Sequence, residues 1–305
     1  MSALTVDHIT KRFDGTTAVD DVSFRIAEGT MFGLLGPNGA GKTTTMRMIV
    51  NIILPDSGRI ELFGRPFEEP LKAEIGYLPE ERGMYPKMKL LDHLQFLGEI
   101  KGMSGSDARA EAMTWLERFE LDDRAEKRVN ELSKGLQQKA QIIGTIIHRP
   151  RLLIVDEPFS GLDPINTRFL KDLLLEMRRE GTTILLSTHL LDQAERLCEE
   201  ICLINRGRIV LAGNLAELKR AHGRNRVLLD FDGNADVVRN HPDVASVNDF
   251  GNHMEIRLQE GAGSDALLQA LVTGGVSVRR FETADISLND LFIERVGAPV
   301  HEHDS

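Results

Sequence analysis

A glycine-rich phosphate-binding pattern, G-x-x-x-x-G-K-[ST], lies near the start of the chain. It reads Gly-Pro-Asn-Gly-Ala-Gly-Lys-Thr-Thr over residues 36–44. Its glycines let the backbone wrap closely round phosphates, so that successive N–H groups and a helix N-terminus point at negative charge. In this pattern Lys42 reaches the β- and γ-phosphates and Thr43 ligates Mg²⁺. The motif predicts binding of ATP or GTP through the phosphates. The alternative is a glycine-rich turn that contains a lysine by chance.

Two carboxylates follow the apolar run Leu152 to Val155. Asp156 and Glu157 are therefore expected at the C-terminal edge of a sheet, where α/β folds bind ligands. We expect Asp156 to hold Mg²⁺ through water. Glu157 would orient and deprotonate the attacking water, a role worth roughly 10²- to 10⁴-fold in rate. Two acids after a strand can also form a solvated turn, but beside a complete phosphate loop the catalytic interpretation is favoured.

A histidine stands at the same predicted edge. The next apolar run ends in Ser187-Thr188-His189, which places the imidazole of His189 near the carboxylates. A lone histidine at such a position is more often structural than catalytic. Its functional assignment therefore depends on the motifs around it.

Short apolar runs that alternate with helices are expected to hold these groups in place. Apolar or β-branched runs predict strands at residues 31–35, 60–63, 75–78, 152–155, 183–186 and 201–205. Helical periodicity predicts helices at residues 44–53, 90–100 and 107–119. The last two helices fall in a helical insertion at about residues 84–145. Before the phosphate loop, strands at residues 4–9 and 22–26 predict a small antiparallel layer. The fold class is α/β, a phosphate-loop NTPase core with an antiparallel β layer and a helical subdomain.

The last third of the chain is expected to form a separate small domain. A polar stretch at residues 220–226 is predicted to be a linker. The runs after it predict the order β-α-β-β-α-β, which suggests a ferredoxin-like α+β unit closed by a helix at residues 287–296. The predicted domains are therefore residues 1–220 and 226–298, followed by a disordered tail at residues 299–305.

A short segment before the carboxylate strand carries the most discriminating resemblance. Leu-Ser-Lys-Gly-Leu-Gln at residues 132–137 resembles Leu-Ser-Gly-Gly-Gln, the signature of the nucleotide-binding subunits of ABC transporters. With the other motifs, it makes residues 1 to about 220 resemble that family. Ser133 and the N–H of Gly135, at a helix N-terminus, can meet a γ-phosphate. The resemblance implies that a second chain supplies this segment, so that a homodimer encloses two ATP molecules head to tail.

Further residues match the family position by position. Phe13 lies where the family has an aromatic ring that stacks on adenine, although it can also be a packed turn residue. The segment Ser160-Gly161-Leu162-Asp163 resembles the loop that couples the two sites, and His189 matches a histidine that contacts γ-phosphate. The motif and the resemblance together imply nucleotide contacts from Phe13, Val19, Asn38, Gly39, Ala40, Gly41, Lys42, Thr43, Thr44, Ser133 and Gly135. The implied catalytic residues are Lys42, Glu157 and His189, and the implied Mg²⁺ ligands are Thr43, Glu80 and Asp156.

The chain departs from the family pattern in two places. In the signature, Lys134 replaces the first glycine and Leu136 separates Gly135 from Gln137. This variant resembles a group of bacterial exporter subunits. Glu80, in Tyr-Leu-Pro-Glu, stands where the family usually has glutamine, a neutral ligand. Our hypothesis is that Glu80 still ligates Mg²⁺ and raises the metal dependence of hydrolysis.

The composition and net charge of the chain restrict the kinds of partner that it can bind. A net charge of −10 and a pI near 5.5 argue against nucleic acid as the main partner. The chain has no apolar run of the roughly 20 residues that cross a bilayer and no signal-peptide pattern at its start. A soluble, cytosolic protein is therefore expected. Cys198 and Cys202 are interpreted as small buried hydrophobes, and His301 and His303 receive no role.

These observations favour an ATPase subunit that drives a separate integral membrane permease. The resemblance implies ATP and Mg²⁺ as cofactors and a peripheral position at the inner face of the membrane. An exporter is expected, for a drug, peptide, lipid, polysaccharide or ion, with the C-terminal unit as a dimerisation or regulatory module. In the loop at residues 82–88, Met84 and Tyr85 either face a groove for a permease helix or pack inward. The alternatives are a soluble ABC-type ATPase acting on DNA or ribosomes, and a GTPase switch.

Overall fold

The computed structural model describes residues 2–81, 83–221, 226–259 and 261–296. Contacts between residues divide the chain into two compact units, Met1–Gly213 and Asn214–Ser305. The boundary between the two units follows Gly213, which is earlier in the chain than the predicted boundary at residue 220.

The described strands are β1 (Ser2–Phe13), β2 (Thr16–Ala27), β3 (Met31–Leu35), β4 (Ser57–Leu62), β5 (Arg65–Pro66), β6 (Ile75–Leu78), β7 (Leu152–Asp156), β8 (Thr183–Thr188), β9 (Glu200–Asn205), β10 (Arg208–Asn214), β11 (Arg226–Asp232), β12 (Val244–Asp249), β13 (His253–Leu258) and β14 (Ser277–Ala284). The described α-helices are α1 (Lys42–Ile49), α2 (Leu90–Ile100), α3 (Gly105–Arg118), α4 (Lys134–Ile146), α5 (Pro164–Arg179), α6 (Leu191–Leu197), α7 (Leu215–Ala221), α8 (Asp236–Arg239), α9 (Ser264–Thr273) and α10 (Leu288–Val296).

The first unit contains the predicted antiparallel layer, a sheet in the order β2-β1-β4-β5. Strand β1 pairs antiparallel with both β2 and β4. Its alternating apolar residues Leu4 and Val6 are buried, as a strand with one face on a core requires. Phe24 of β2 stacks on Phe32 of β3 at a centroid distance of 5.2 Å. This contact joins the antiparallel layer to the second sheet.

The second sheet of this unit has the order β10-β9-β3-β8-β7-β6. Strand β3 pairs parallel with β8 and β9, and β7 pairs parallel with β8 and β6. All residues of β3, β7 and β8 are buried, as expected for parallel strands covered on both faces. Parallel strands end at one edge, so the segments after β3, β6, β7 and β8 meet there. Those segments carry the phosphate loop, Glu80, Glu157 and His189.

Helix α1 differs from the prediction at both ends. It spans Lys42–Ile49 rather than residues 44–53. Asn51 has a left-handed backbone with φ of 58°, which cannot continue a right-handed helix. The apolar residues after Asn51 supported the longer prediction although they lie outside the helix.

Helices α2 and α3 confirm the predicted helical insertion. Helix α2 matches the predicted residues 90–100, and α3 begins at Gly105 because Ser104 caps its N-terminus by accepting a hydrogen bond from the N–H of Asp107. The described residues contain no helix that is both long enough and apolar enough to span a bilayer.

The second unit has the predicted ferredoxin-like order. Its strands β11 to β14 form a sheet in the order β12-β13-β11-β14, and the three neighbouring pairs are antiparallel. Helices α8 and α9 separate the strands as predicted, and their Val238, Leu267 and Leu271 pack in the core. The predicted linker is partly wrong, because Arg220 belongs to α7. Residues 222–225 and the predicted tail lie outside the described residues.

Candidate phosphate and metal site

The phosphate loop connects buried strand β3 to helix α1. Gly36, Gly39 and Gly41 all have positive φ, a conformation that side-chain-bearing residues rarely adopt. A Cβ atom at Gly41 would lie 2.4 Å from the carbonyl oxygen of Ala18, too close for any side chain. The loop therefore needs glycine for its backbone shape at all three positions, and at Gly41 for space as well.

Lys42 is buried at the start of α1. Its Nζ donates hydrogen bonds to the carbonyl oxygens of Gly36 at 2.7 Å and Pro37 at 3.1 Å. The same Nζ lies 3.6 Å from Oε1 of Glu157. Burial lowers the pKa of Lys42, and the charges of Glu157 and Asp156 oppose that shift. The ammonium therefore lies where an anion can replace its present partners.

Asp156 and Thr43 form a paired set of oxygen atoms beside the loop. Thr43 Oγ1 donates to Asp156 Oδ2 at 2.9 Å. Asp156 Oδ1 is buried and has no hydrogen-bond partner among the described residues. Burial raises the pKa of Asp156, while the hydrogen bond from Thr43 lowers it. A buried oxygen without a partner, next to a hydroxyl, suits Mg²⁺, which binds oxygen ligands.

Glu157 follows β7 directly and has a left-handed backbone with φ of 47°. Such a conformation is costly for glutamate and is typical of functional sites. Its N–H donates to the carbonyl oxygen of Ser187 at 2.9 Å. Oε1 accepts a hydrogen bond from the N–H of His189 at 2.9 Å, and His189 Nδ1 lies 2.9 Å from the same atom. The structure thus brings together Lys42, Glu157 and His189, as the sequence predicts.

Thr188 belongs to this cluster, although the sequence motifs did not single it out. It is fully buried at the end of β8, and its Oγ1 donates to Oε2 of Glu157 at 3.0 Å. Its position immediately before His189 was the only available signal.

Glu80 lies after β6, with its side chain exposed. The charge of Glu80 affects the pKa of both Asp156 and Lys42. For Asp156 burial is the largest cause of the raised pKa and Glu80 adds to it, and for Lys42 burial lowers the pKa while Glu80 opposes this. Glu80 is therefore within electrostatic reach of both groups. Its role as a metal ligand stays a prediction.

Phe13 and Val19, two of the residues expected to contact the nucleotide, differ in accessibility. Phe13 ends β1 and is 45% exposed, with Lys11 Nζ 5.6 Å from its ring centroid. An exposed ring can stack on a base. Val19 is only 1% exposed and lies against the phosphate loop, because a Cβ at Gly41 would meet its Cγ2 at 3.5 Å. Val19 therefore supports the loop, and its contact with a nucleotide stays a prediction.

The signature segment lies at the N-terminus of α4. Ser133 caps the helix by accepting from the N–H of Leu136 at 3.4 Å. Ser133 and Gly135 are exposed, and a Cβ at Gly135 would meet nothing within 4 Å. Within the described part of the chain, no hydrogen bond joins these two residues to the phosphate loop. They are open to an external partner.

The segment after Glu157 ends at another helix start. Asp163 caps α5 and accepts from the N–H of Asn166 at 2.9 Å, a hydrogen bond that lowers the pKa of Asp163. Gly161 has φ of 70° and open space around it. Ile165 on the first turn of α5 is strongly exposed. This surface also lacks a partner within the described residues of the unit.

The loop after β6 covers a cavity of about 180 Å³ in the first unit. Met84 lines the cavity together with His93, Leu97 and His148. Tyr85 is 52% exposed and packs edge-on against His93, with ring centroids 5.7 Å apart. The loop therefore packs partly inward and leaves one face of the tyrosine accessible.

Two protein families match different parts of the chain. The description "ABC transporter" matches residues 19–160, and "ATP-binding protein DrrA1-3-like, C-terminal domain" matches residues 213–296. The two matches fall largely on the two compact units.

Relatives match over most of the chain. The uncharacterized ABC transporter ATP-binding protein YhaQ of Bacillus subtilis (strain 168) is 43% identical over 295 residues, which cover 97% of this chain and 99% of YhaQ. The Nod factor export ATP-binding protein I of Paraburkholderia xenovorans (strain LB400) is 39% identical over 215 residues, 70% of this chain and 71% of the relative.

A solved structure shares the fold of the first unit. A protein described as the ATP-binding subunit of an ABC transporter superposes with a TM-score of 0.68 and 32% identity, covering 72% of this chain and 93% of the other. The fold class and the resemblance predicted from the motifs are thereby confirmed.

Proposed function

The chain belongs to the ATP-binding subunits of ABC transporters, which hydrolyse ATP to power transport, and we propose that a pair of these chains drives export through a separate membrane permease. The observation that carries this proposal is the cluster of Lys42, Asp156, Glu157 and His189 beside the phosphate loop.

Nucleotide binding begins with the exchange of partners at Lys42. Its ammonium is held by two carbonyl oxygens and Glu157, and a γ-phosphate carries more negative charge than these groups. The phosphates would therefore draw Lys42 away from them, while the loop N–H groups bind the remaining oxygens. Phe13 would stack on the adenine ring.

Thr43 and Asp156 are the residues that would hold Mg²⁺. The unpartnered Oδ1 of Asp156 and the hydroxyl of Thr43 would hold it, with Glu80 as a further ligand. When bound, Mg²⁺ neutralises charge on the β- and γ-phosphate oxygens. Burial raises the pKa of Asp156, so a cation beside it also favours the ionised form that binds metal.

Glu157 is the proposed general base. Its carboxylate would accept a proton from the attacking water as the water oxygen bonds to phosphorus and the bond to ADP breaks. His189 lies beside Glu157 Oε1 and is proposed to contact the γ-phosphate. These two residues hold each other in the structure, and ATP would separate them.

Ser133 and Gly135 support a head-to-tail pair of chains. Both are exposed at a helix N-terminus, which favours a negatively charged group, and neither bonds to the phosphate loop of its own chain. In the proposed pair, each chain presents these residues to the γ-phosphate bound by the other. The exposed Ile165 and the loop at Gly161 would also be covered.

The loop containing Met84 and Tyr85 is the proposed contact with the permease. Tyr85 has an exposed face and packs against His93, one of the residues that line the cavity, and such a surface suits an amphipathic helix. The subunit would thus lie on the cytoplasmic side of the membrane, held there by its permease. Replacing Met84 and Tyr85 by serine is expected to uncouple transport while sparing ATP hydrolysis by the isolated chain. Equal loss of both activities would favour a packing role.

The direction of transport is inferred from the relatives. Several of them are named Nod factor export ATP-binding proteins, and they match 70–82% of this chain. The C-terminal unit is proposed to serve dimerisation or regulation. The cargo would be selected by the permease, and the proposed classes of cargo are a drug, a peptide, a lipid, a polysaccharide or an ion.

Affinity purification tests this function. A Glu157→Gln variant, trapped with ATP and extracted from membranes in detergent, should bring down a stoichiometric membrane protein with several spans. The wild-type chain without nucleotide is the matched control. Recovery of ribosomes, nucleic acid or no partner from a folded, ATP-bound variant would contradict the permease proposal and favour a soluble ABC-type ATPase.

A further inference from the structure

Thr188 is held by two hydrogen bonds that fix the direction of its hydroxyl group. Its Oγ1 accepts from the N–H of Leu190 at 3.0 Å and lies 3.0 Å from Glu157 Oε2. Because the N–H of Leu190 occupies one lone pair, the hydroxyl proton points to the carboxylate. Thr188 is fully buried, so water does not compete for this contact.

The two carboxylate oxygens of Glu157 have different surroundings. Oε2 has Thr188 as its hydrogen-bond partner among the described residues. Oε1 faces Lys42 and His189, the groups proposed to contact the γ-phosphate. In the part of the chain that the structure describes, Oε2 is therefore held by the end of β8 alone, whereas Oε1 accepts from the backbone N–H of His189 and also faces the reacting groups.

The anchor belongs to a rigid part of the fold. Thr188 ends the central strand β8, where it pairs with Leu35 of β3 immediately before the phosphate loop. The backbone of Glu157 is bonded to the same strand through Ser187. The backbone and the side chain of Glu157 are thus both hydrogen-bonded to β8, although the φ of Glu157 is strained.

We propose that Thr188 is a positioning residue for hydrolysis, whose hydroxyl holds Oε2 of Glu157 so that Oε1 faces the attacking water. This inference rests on the proposed role of Glu157 as general base. Thr188 does not touch the nucleotide in this scheme. It removes the rotational freedom of the carboxylate, and it offsets charge on the oxygen that does not accept the proton.

Three variants of the full chain test the inference. Thr188→Val keeps the shape and removes the hydroxyl, Thr188→Ser keeps the hydroxyl, and Thr188→Ala is a second hydroxyl-free variant if valine prevents folding. We expect Thr188→Val to lower kcat by about tenfold or more, with KM for ATP within about twofold of the wild type. Thr188→Ser should restore kcat to within about twofold of the wild type.

A double-variant cycle identifies the route of the effect. If Thr188 acts through Glu157, adding Thr188→Val to Glu157→Gln should cause no further loss of kcat. An additive loss, an unchanged or raised kcat in Thr188→Val, or equal losses in the valine and serine variants would each overturn the inference. A wild-type chain that hydrolyses ATP but captures no permease would contradict the proposed export function and leave this comparison intact.

Discussion

Lys42 and Glu157 form a buried ion pair across the phosphate site, with Nζ 3.6 Å from Oε1. Lys42 is proposed to bind phosphate, and Glu157 is proposed to activate water. In the structure these two groups are therefore paired with each other. A γ-phosphate entering the loop competes for the same ammonium. Binding of ATP and release of the base are thus expected to occur together.

Glu157→Gln should separate binding from hydrolysis. The amide keeps the shape of the side chain but cannot accept the proton of water, so turnover should fall by roughly 10²- to 10⁴-fold. ATP binding should persist, because the competing charge beside Lys42 is removed. Single-turnover hydrolysis and equilibrium ATP binding measure the two effects. Similar losses in both would argue against a general-base role.

Glu80→Gln should reduce the Mg²⁺ dependence of hydrolysis. Glu80 contributes negative charge at both Asp156 and Lys42, on top of the dominant effect of burial at each. A neutral amide would leave less charge for the metal to offset. The rate should be measured against Mg²⁺ concentration, with Glu81→Gln as a control on the neighbouring acid. Identical Mg²⁺ curves for wild type and Glu80→Gln would refute the hypothesis.

His148 should make the first unit less stable in acid. Burial, aided by the charge of Lys101, lowers the pKa of His148 to about 4, against the ordinary value of 6.5. The folded state therefore binds the proton less well than the unfolded state. The resulting stabilisation is complete above about pH 6.5 and is lost as the pH falls towards 4.

The size of this effect can be measured by urea unfolding between pH 7 and pH 4. The difference between 6.5 and about 4 corresponds to about 3 kcal/mol. His148→Gln should flatten the pH dependence by a large part of that amount. His93, whose pKa burial also lowers, contributes in the same direction and remains in both proteins. An equally steep pH dependence in His148→Gln would assign the acid sensitivity to other groups.

Gly41→Ala should destabilise the nucleotide-free protein far more than Gly39→Ala. Both glycines have positive φ, so both substitutions carry roughly 1 kcal/mol or more of backbone strain. Only at Gly41 does the new Cβ collide with a backbone atom, the oxygen of Ala18 at 2.4 Å. The free energies of unfolding of the two variants isolate this collision. Equal values would show that the loop moves freely to accommodate a side chain.

The sequence predicted where the candidate site residues lie in the fold wherever local pattern determines structure. Asp156 and Glu157 lie at the end of β7, the phosphate loop with Lys42 follows β3, and parallel pairing brings these strand ends to one edge. The second unit likewise followed from alternating strands and helices. These features depend on periodicity within short segments, which a single sequence contains.

Other features depend on tertiary contacts that a single sequence does not show. The end of α1 is set by the left-handed backbone of Asn51, whereas the apolar residues that follow it suggested a longer helix. The burial of Val19 and the bond between Thr188 and Glu157 join segments far apart in the chain. Helix α7 was missed because its residues Leu215–Ala221 precede a polar stretch that suggested a linker.

Because Ser133 and Gly135 are exposed, the dependence of the ATP hydrolysis rate on protein concentration reports on pairing of the chains. If two chains pair as proposed, a lone chain would hold ATP without the residues that complete its site, so in dilute solution the hydrolysis rate should rise with the square of protein concentration. At high concentration the dependence should become linear. A permease that binds two copies side by side would make the hydrolysis rate independent of dilution. Subunits that are not bound to a permease would hydrolyse little ATP.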